Sequence, residues 1–157
     1  MTAWEASIRA GIRTVVAGVT GIGQVHDYFR VLNEQTRLVD EYVVATDTGS
    51  KLHVWQISLS DDAPYTEERR PASRHALGRW KFSIHGHYGV DDANASEKAW
   101  AVLVELVLDA FRADKRLGNT VIDSGPPQWV TAGYRQISSH LCHYARIDLS
   151  VLVQVEP

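Results

Sequence analysis

Cysteine is almost missing from this chain, Cys142 being the only one. No disulfide can form within it, and without Cys pairs, or Cys and His pairs at finger spacing, no structural zinc knot is written. Such usage fits synthesis in a reducing, cytosolic compartment. Long hydrophobic runs are missing too: nothing approaches the ~20 apolar residues that cross a bilayer, so no membrane partner is expected. The first residues do not read as a secretion signal, because Glu5, Arg9 and Arg13 interrupt the apolar positions and no cationic stretch precedes them. Positive charge is scarce. Against 19 Asp and Glu stand 16 Lys and Arg, a formal charge of -3, and no basic stretch is longer than Arg69-Arg70. Phosphate binding needs a cationic face to release counterions, which argues against nucleic acid as the main ligand. The glycines from Gly18 to Gly23 match neither GxGxxG nor GxxxxGK[ST], and a helix precedes them where a phosphate loop needs a strand.

What is there supports a core. At 157 residues the chain has the length of one domain and can bury roughly two-thirds of its unfolded surface. A hydrophobic share of 45%, with five tryptophans, excludes a disordered chain and leaves aromatics over for an interface. Ile8, Ile12, Val15 and Val16 recur at helical spacing from Ala3 to about Val16, with Thr2 placed to cap the start. Three glycines between Gly18 and Gly23 end that helix, and a short extended segment follows at Gln24 to Phe29.

Lys51 to Ser60 and Arg79 to Tyr88 alternate with period two and are expected to pair antiparallel as half-buried strands. Between them, Asp61 to Gly78 carries Pro64, Pro71 and the run Glu67-Glu68-Arg69-Arg70 with little periodicity. It reads as a long flexible loop, either mobile or functional.

Ser96 to about Leu117 carries the strongest pattern: Trp100, Leu103, Val104, Val107, Leu108 and Phe111 fall on one face of a helix of five or six turns. Asn94 with Glu97, or Ser96 itself, is placed to cap it, and Gly118 to stop it. Trp129 to Ser138 and Leu141 to Val155 read as two further strands. The expected fold is one α+β domain over residues 1–157. Its mostly antiparallel sheet is packed by two helices, in the order α-β-β-α-β-β with a short extra strand. Trp80 and Trp100 are assigned to the core, Trp4 and Trp129 to an interface.

Chemistry is thin. His85-Gly86-His87 places two rings on one strand face about 7 Å apart, and His140 with His143 forms a second group. Polar strand positions accept His freely and no carboxylate stands at a recognisable spacing, so neither metal nor cofactor is expected. Asp91-Asp92 reads as a strand end that favours the next helix through its dipole. Cys142 and His143 face opposite sides of a strand and cannot form a thiolate couple. No catalytic constellation assembles, and the chain is not expected to be an enzyme.

Gly21-Ile22-Gly23-Gln24-Val25-His26-Asp27-Tyr28, Trp55-Gln56-Ile57 and Phe82-Ser83-Ile84-His85-Gly86-His87-Tyr88-Gly89 carry a resemblance. It continues through Asp91-Asp92, Ser96-Glu97-Lys98 and Leu141-Cys142-His143-Tyr144-Ala145. In element order and length, over nearly the whole chain, this layout resembles the tail terminator, or tail completion, proteins of long-tailed bacteriophages. The resemblance implies a structural virion protein, assembled in the host cytoplasm, that forms a homo-oligomeric ring, commonly a hexamer. Such a ring sits at the head-proximal end of the tail, caps the tail tube, stops its polymerisation and presents the surface that meets a head-completion or connector protein. DNA would pass through the lumen without specific binding, which slight acidity suits.

A ring needs two different patches per subunit. The candidates are Tyr65, Glu67, Glu68, Arg69 and Arg70 in the long loop, and the segment from Asn119 to Trp129. Another neck subunit, such as a head-closure protein, shares these features. The more distant alternative is a small metalloenzyme using His85, His87 and either His75 or His143.

Overall fold

The computed structural model describes residues 3–29, 42–46, 49–69 and 75–155. Helix α1 runs from Ala3 to Ala17 and buries Ile8, Ile12 and Val16 completely. Arg9 on its flank holds Glu5 at 2.9 Å and donates from Nη1 to the carbonyls of Asp27 and Ile57, both at 2.9 Å. One guanidinium thereby ties the helix to two strand ends. After the helix, Gly21 and Gly23 take left-handed φ values of 76° and 80°. Glycine is required at the second, where a Cβ would lie 2.6 Å from the His53 ring.

Strand β1 (Gln24–His26) pairs parallel with β3 (Gly49–Leu59), while β2 (Val43–Thr46) forms a hairpin with the start of β3. β4 (Tyr65–Arg69) and β5 (Ala76–Gly89) follow, then a 3-10 turn at Asp92–Asn94 and helix α2 (Ser96–Ala113). β6 (Asp123–Ser124), β7 (Gln128–Ile137) and β8 (His140–Val155) complete the chain. Among the described residues, β1 and β3 to β8 form one mixed, mostly antiparallel sheet of a single α+β domain. β5 and β8 are its spine, in register from Ala76 opposite Val155 to Gly89 opposite Cys142.

Both helices pack on one face of this sheet. Trp55, Ile57, Phe82, Ile84, Ile147, Leu149, Val151 and Val153 rise from the strands to meet α1 and the α2 stripe Trp100, Leu103, Val104, Val107, Leu108 and Phe111. That stripe is the one periodicity expects, and burying it contributes on the order of 10 kcal/mol before chain entropy is subtracted. Gly86 is the point of closest approach: a Cβ there would meet Trp100 at 2.6 Å and Trp55 at 2.8 Å.

The structure corrects four sequence expectations. The segment 61–78 is not one long loop: Tyr65–Arg69 is a strand, with Tyr65 opposite Trp80 and Arg69 opposite Ala76. An edge strand exposed along its length lacks the apolar alternation that marks a half-buried one, so it reads as loop. Trp100 is in the core as expected, but its partner there is Trp55, fully buried, while Trp80 is half-buried beneath Tyr65 with ring centroids 4.6 Å apart. β3 is not half-buried, because Leu52 and Val54 on its other face join a second cluster with Tyr42 and Cys142. Finally, no side chain caps α2; Ala95 takes φ 52° before it. The Ser96 hydroxyl is instead occupied by the Asp91 amide and the His143 ring, both at 2.8 Å. The proposed cap residue Thr2 lies outside the described residues.

Candidate functional site

Opposite the helices, β3, β5 and β8 present a polar face, because period two sends the alternate residues of each strand there. His85 stands at its centre. Its Nε2 lies 3.0 Å from Ser58 Oγ on β3 and its Nδ1 2.7 Å from the Tyr144 hydroxyl on β8, with Phe29 edge-on to the ring at 5.3 Å. His87 is buried beside Tyr144, ring centroids 5.1 Å apart, and Arg135 lies 4.1 Å over the Tyr144 ring. Burial, reinforced by Arg135, lowers the His87 pKa to about 3; burial, then Arg135 and Arg146, lowers that of His85 to about 4. Both rings are neutral at pH 7. A base this weak, covered by an aromatic ring and oriented by a phenol without a carboxylate, is poorly suited to activate Ser58.

The structure does not bring the proposed histidine trio together. His85 and His87 share the polar face, but His143 points to the helix side, against Ser96. His75 precedes β5 by one residue, on the order of 30 Å from His85 along an extended strand. Among the described residues no three His, Cys, Asp or Glu side chains stand close enough to hold a metal ion. Cys142 lies in the small cluster away from His143, and burial raises its thiol pKa to about 11, as suits an inert core residue. Asp91 serves its turn, accepting from Asn94 Nδ2 at 2.7 Å.

Further along the same face a cleft of about 470 Å³ opens, with Arg79, Lys81, Ser83, Arg146, Asp148 and Ser150 in its lining. Ser60 to Asp62, and Gly125, Pro126 and Gln128, border it. Asp148 Oδ1 accepts from the Ser83 hydroxyl at 2.8 Å, and Oδ2 from Arg146 Nη2 at 3.2 Å. Arg146 Nε also sits 3.2 Å from Oδ1, out of line for a hydrogen bond. Although Gly125, Pro126 and Gln128 fall in the segment from Asn119 to Trp129, and Asp61 and Asp62 in the 61–78 segment, the sequence does not mark the strand residues of this cleft as site candidates. Their alternation in two strands was visible, but their meeting depends on the β5 to β8 register, which sets Lys81 opposite Ser150 and Ser83 opposite Asp148.

The proposed interface residues fall on strand edges. β4 carries Tyr65, Glu67, Glu68 and Arg69, all exposed; Glu67 accepts from the Tyr65 hydroxyl at 3.3 Å and from Arg69 Nε at 3.4 Å. Arg70 lies outside the described residues. Trp129 is on β7, its Nε1 donating to the Thr131 carbonyl at 2.9 Å, so that a large apolar ring remains 37% exposed. Sequence reasoning missed its neighbours Val130, at a bulge, and Tyr134, 60% exposed. The segment from Asn119 is held to β8, Asp123 opposite Leu152 and the Gly125 amide on the Ser150 carbonyl at 2.7 Å. β4 lies on the outer side of β5 and β7 on the outer side of β8, and among the described residues neither has a partner on its far edge.

The chain matches no protein-family model, and a search among curated proteins returns no match.

Proposed function

We propose that the chain is a ring-forming structural subunit, acting as a tail terminator of a long-tailed bacteriophage. The observation that carries this reading is the pair of strand edges, β4 and β7, that have no partner among the described residues and lie on opposite sides of one sheet. They differ in chemistry. β4 presents the charged residues Glu67, Glu68 and Arg69, while β7 presents Trp129, Val130, Tyr134 and Arg135 with no acidic residue. Two unlike patches on one protomer are what a heterologous, closing contact requires. Natural edge strands are normally shortened, charged or covered, and a ten-residue edge with exposed aromatics invites an added strand. In this role the ring, six copies as the resemblance has it, caps the tail tube and meets the head-completion or connector protein. The near-neutral charge lets DNA pass through the lumen without specific binding.

The test mixes purified protein with tail tubes and follows native mass, light scattering and negative-stain images. Rings that cap tube ends support the reading; protein that stays monomeric with tube present refutes it. A monomer in isolation does neither, because some rings close only on their template. Rings that ignore tubes but bind head connectors would instead favour a head-closure subunit, which shares the same two edges.

A further inference from the structure

The cleft on the polar face has a use that the ring does not require. Two of its cations are poorly engaged. Among the described residues Arg79 has no carboxylate within 4 Å and makes one long contact, Nη1 to Ser150 Oγ at 3.4 Å. Among the described residues Lys81 Nζ pairs with Asp62 alone, at 3.8 Å, and that carboxylate is 94% exposed. A pair held so loosely in water exchanges readily for a better anion. Asp148, the acid on the strand floor of the cleft, is already occupied by Arg146 and Ser83, so its charge is spent locally. The hydroxyl of Ser150, which only accepts from Arg79, lines the same space with its own hydrogen left to donate, whereas that of Ser83 is given to Asp148.

We propose that this cleft is a binding site for a small tetrahedral oxyanion, inorganic phosphate or a phosphomonoester, held by Arg79 and Lys81 with the Ser150 hydroxyl. Arg79 and Lys81 lie two residues apart on one face of β5, about 7 Å between positions, a span that lets both side chains converge on one anion. The volume exceeds that of the anion alone and leaves room for an organic group against Pro126 and Gln128. Asp61 and Asp62 stand exposed on the connection between β3 and β4, bordering the cleft. Their charges oppose an extended polyanion following the protein surface, while a small ion can enter between them. The site is therefore assigned to a small ligand and not to nucleic acid.

The test is an NMR titration of the full chain with inorganic phosphate up to about 50 mM, well above the millimolar affinity at issue. Saturable shifts of the Arg79, Lys81 and Ser150 amides are expected. Arg79→Gln and Lys81→Gln should each weaken binding about ten-fold, the loss of one charge-assisted hydrogen bond. Asp62→Asn should tighten it by freeing Lys81, and Lys98→Gln on α2 should change nothing. Circular dichroism identical to the parent excludes loss of fold as the cause. A parallel titration with glycerol phosphate separates the sources: tighter binding than phosphate assigns the site to a monoester, equal binding to the free ion. Absence of saturation, equal effects of Arg79→Gln and Lys98→Gln, or displacement of phosphate by single-stranded DNA at equal phosphate concentration would overturn the assignment.

Discussion

Lowering the pH from 7 to 5 should strip this protein of much of its stability through histidines alone. His53 and His87 are buried, and burial above all lowers their pKa values from 6.5 to about 4 and about 3. Lys51 adds to the effect at His53, and Arg135 and His85 at His87. The unfolded chain takes up these protons near pH 6.5 and the folded one resists them. Stability is therefore whole above pH 6.5 and lost as pH falls through the window between 6.5 and the folded pKa values. At pH 5 the linkage costs ~2 kcal/mol for each of the two, and His85, lowered to about 4 as well, adds a similar amount. A loss of about 4 kcal/mol or more is a large part of the 5–15 kcal/mol typical of a domain. Urea unfolding followed by tryptophan fluorescence at pH 7, 6 and 5 measures it directly. His87→Gln should be less stable at pH 7 yet lose less between pH 7 and 5, since one of the resisting groups is gone. An unfolding midpoint equal at pH 7 and pH 5 would refute the claim that these rings are buried and neutral.

Gly86→Ala should destabilise by about 1–3 kcal/mol, because its methyl group meets both core tryptophans below 3.0 Å; thermal unfolding reads the loss. Arg9→Ala strands two carbonyls and one carboxylate and should cost about 2 kcal/mol, measured by urea unfolding. Replacing Trp129 and Tyr134 together by Ser should leave the melting temperature within a few degrees while lowering the mass of any assembly seen by light scattering. Cys142 should resist iodoacetamide in the native protein at pH 8 and react fully in urea, since burial raises its pKa to about 11; mass spectrometry counts the adducts.

Where one face of an element is buried and the other wet, its periodicity is written locally, and this chain carries that pattern in α1, α2, β5 and β8. The α2 stripe from Trp100 to Phe111 could be read without any structure because each of its residues faces the same core. β4 could not, since Tyr65, Glu67 and Arg69 lie on an exposed edge where no burial imprints a pattern. Nor could the parallel pairing of β1 with β3, for three residues hold too little information to choose a partner. The histidines divide the same way. Sequence alternation placed His85 and His87 on one face; only the packing of Ser96 against β8 decided that His143 belongs to the other side.

The cleft is a product of tertiary structure alone. Arg79 and Ser150 are 71 positions apart in the chain and meet because β5 and β8 lock in one register over fourteen residues. A slip of one position would turn Arg79, Lys81 and Ser83 toward the core and carry Trp80, Phe82 and Ile84 into water. The sequence determined which residues must be buried, and so the fold class. Which polar residues were left facing one another followed from how the buried ones packed.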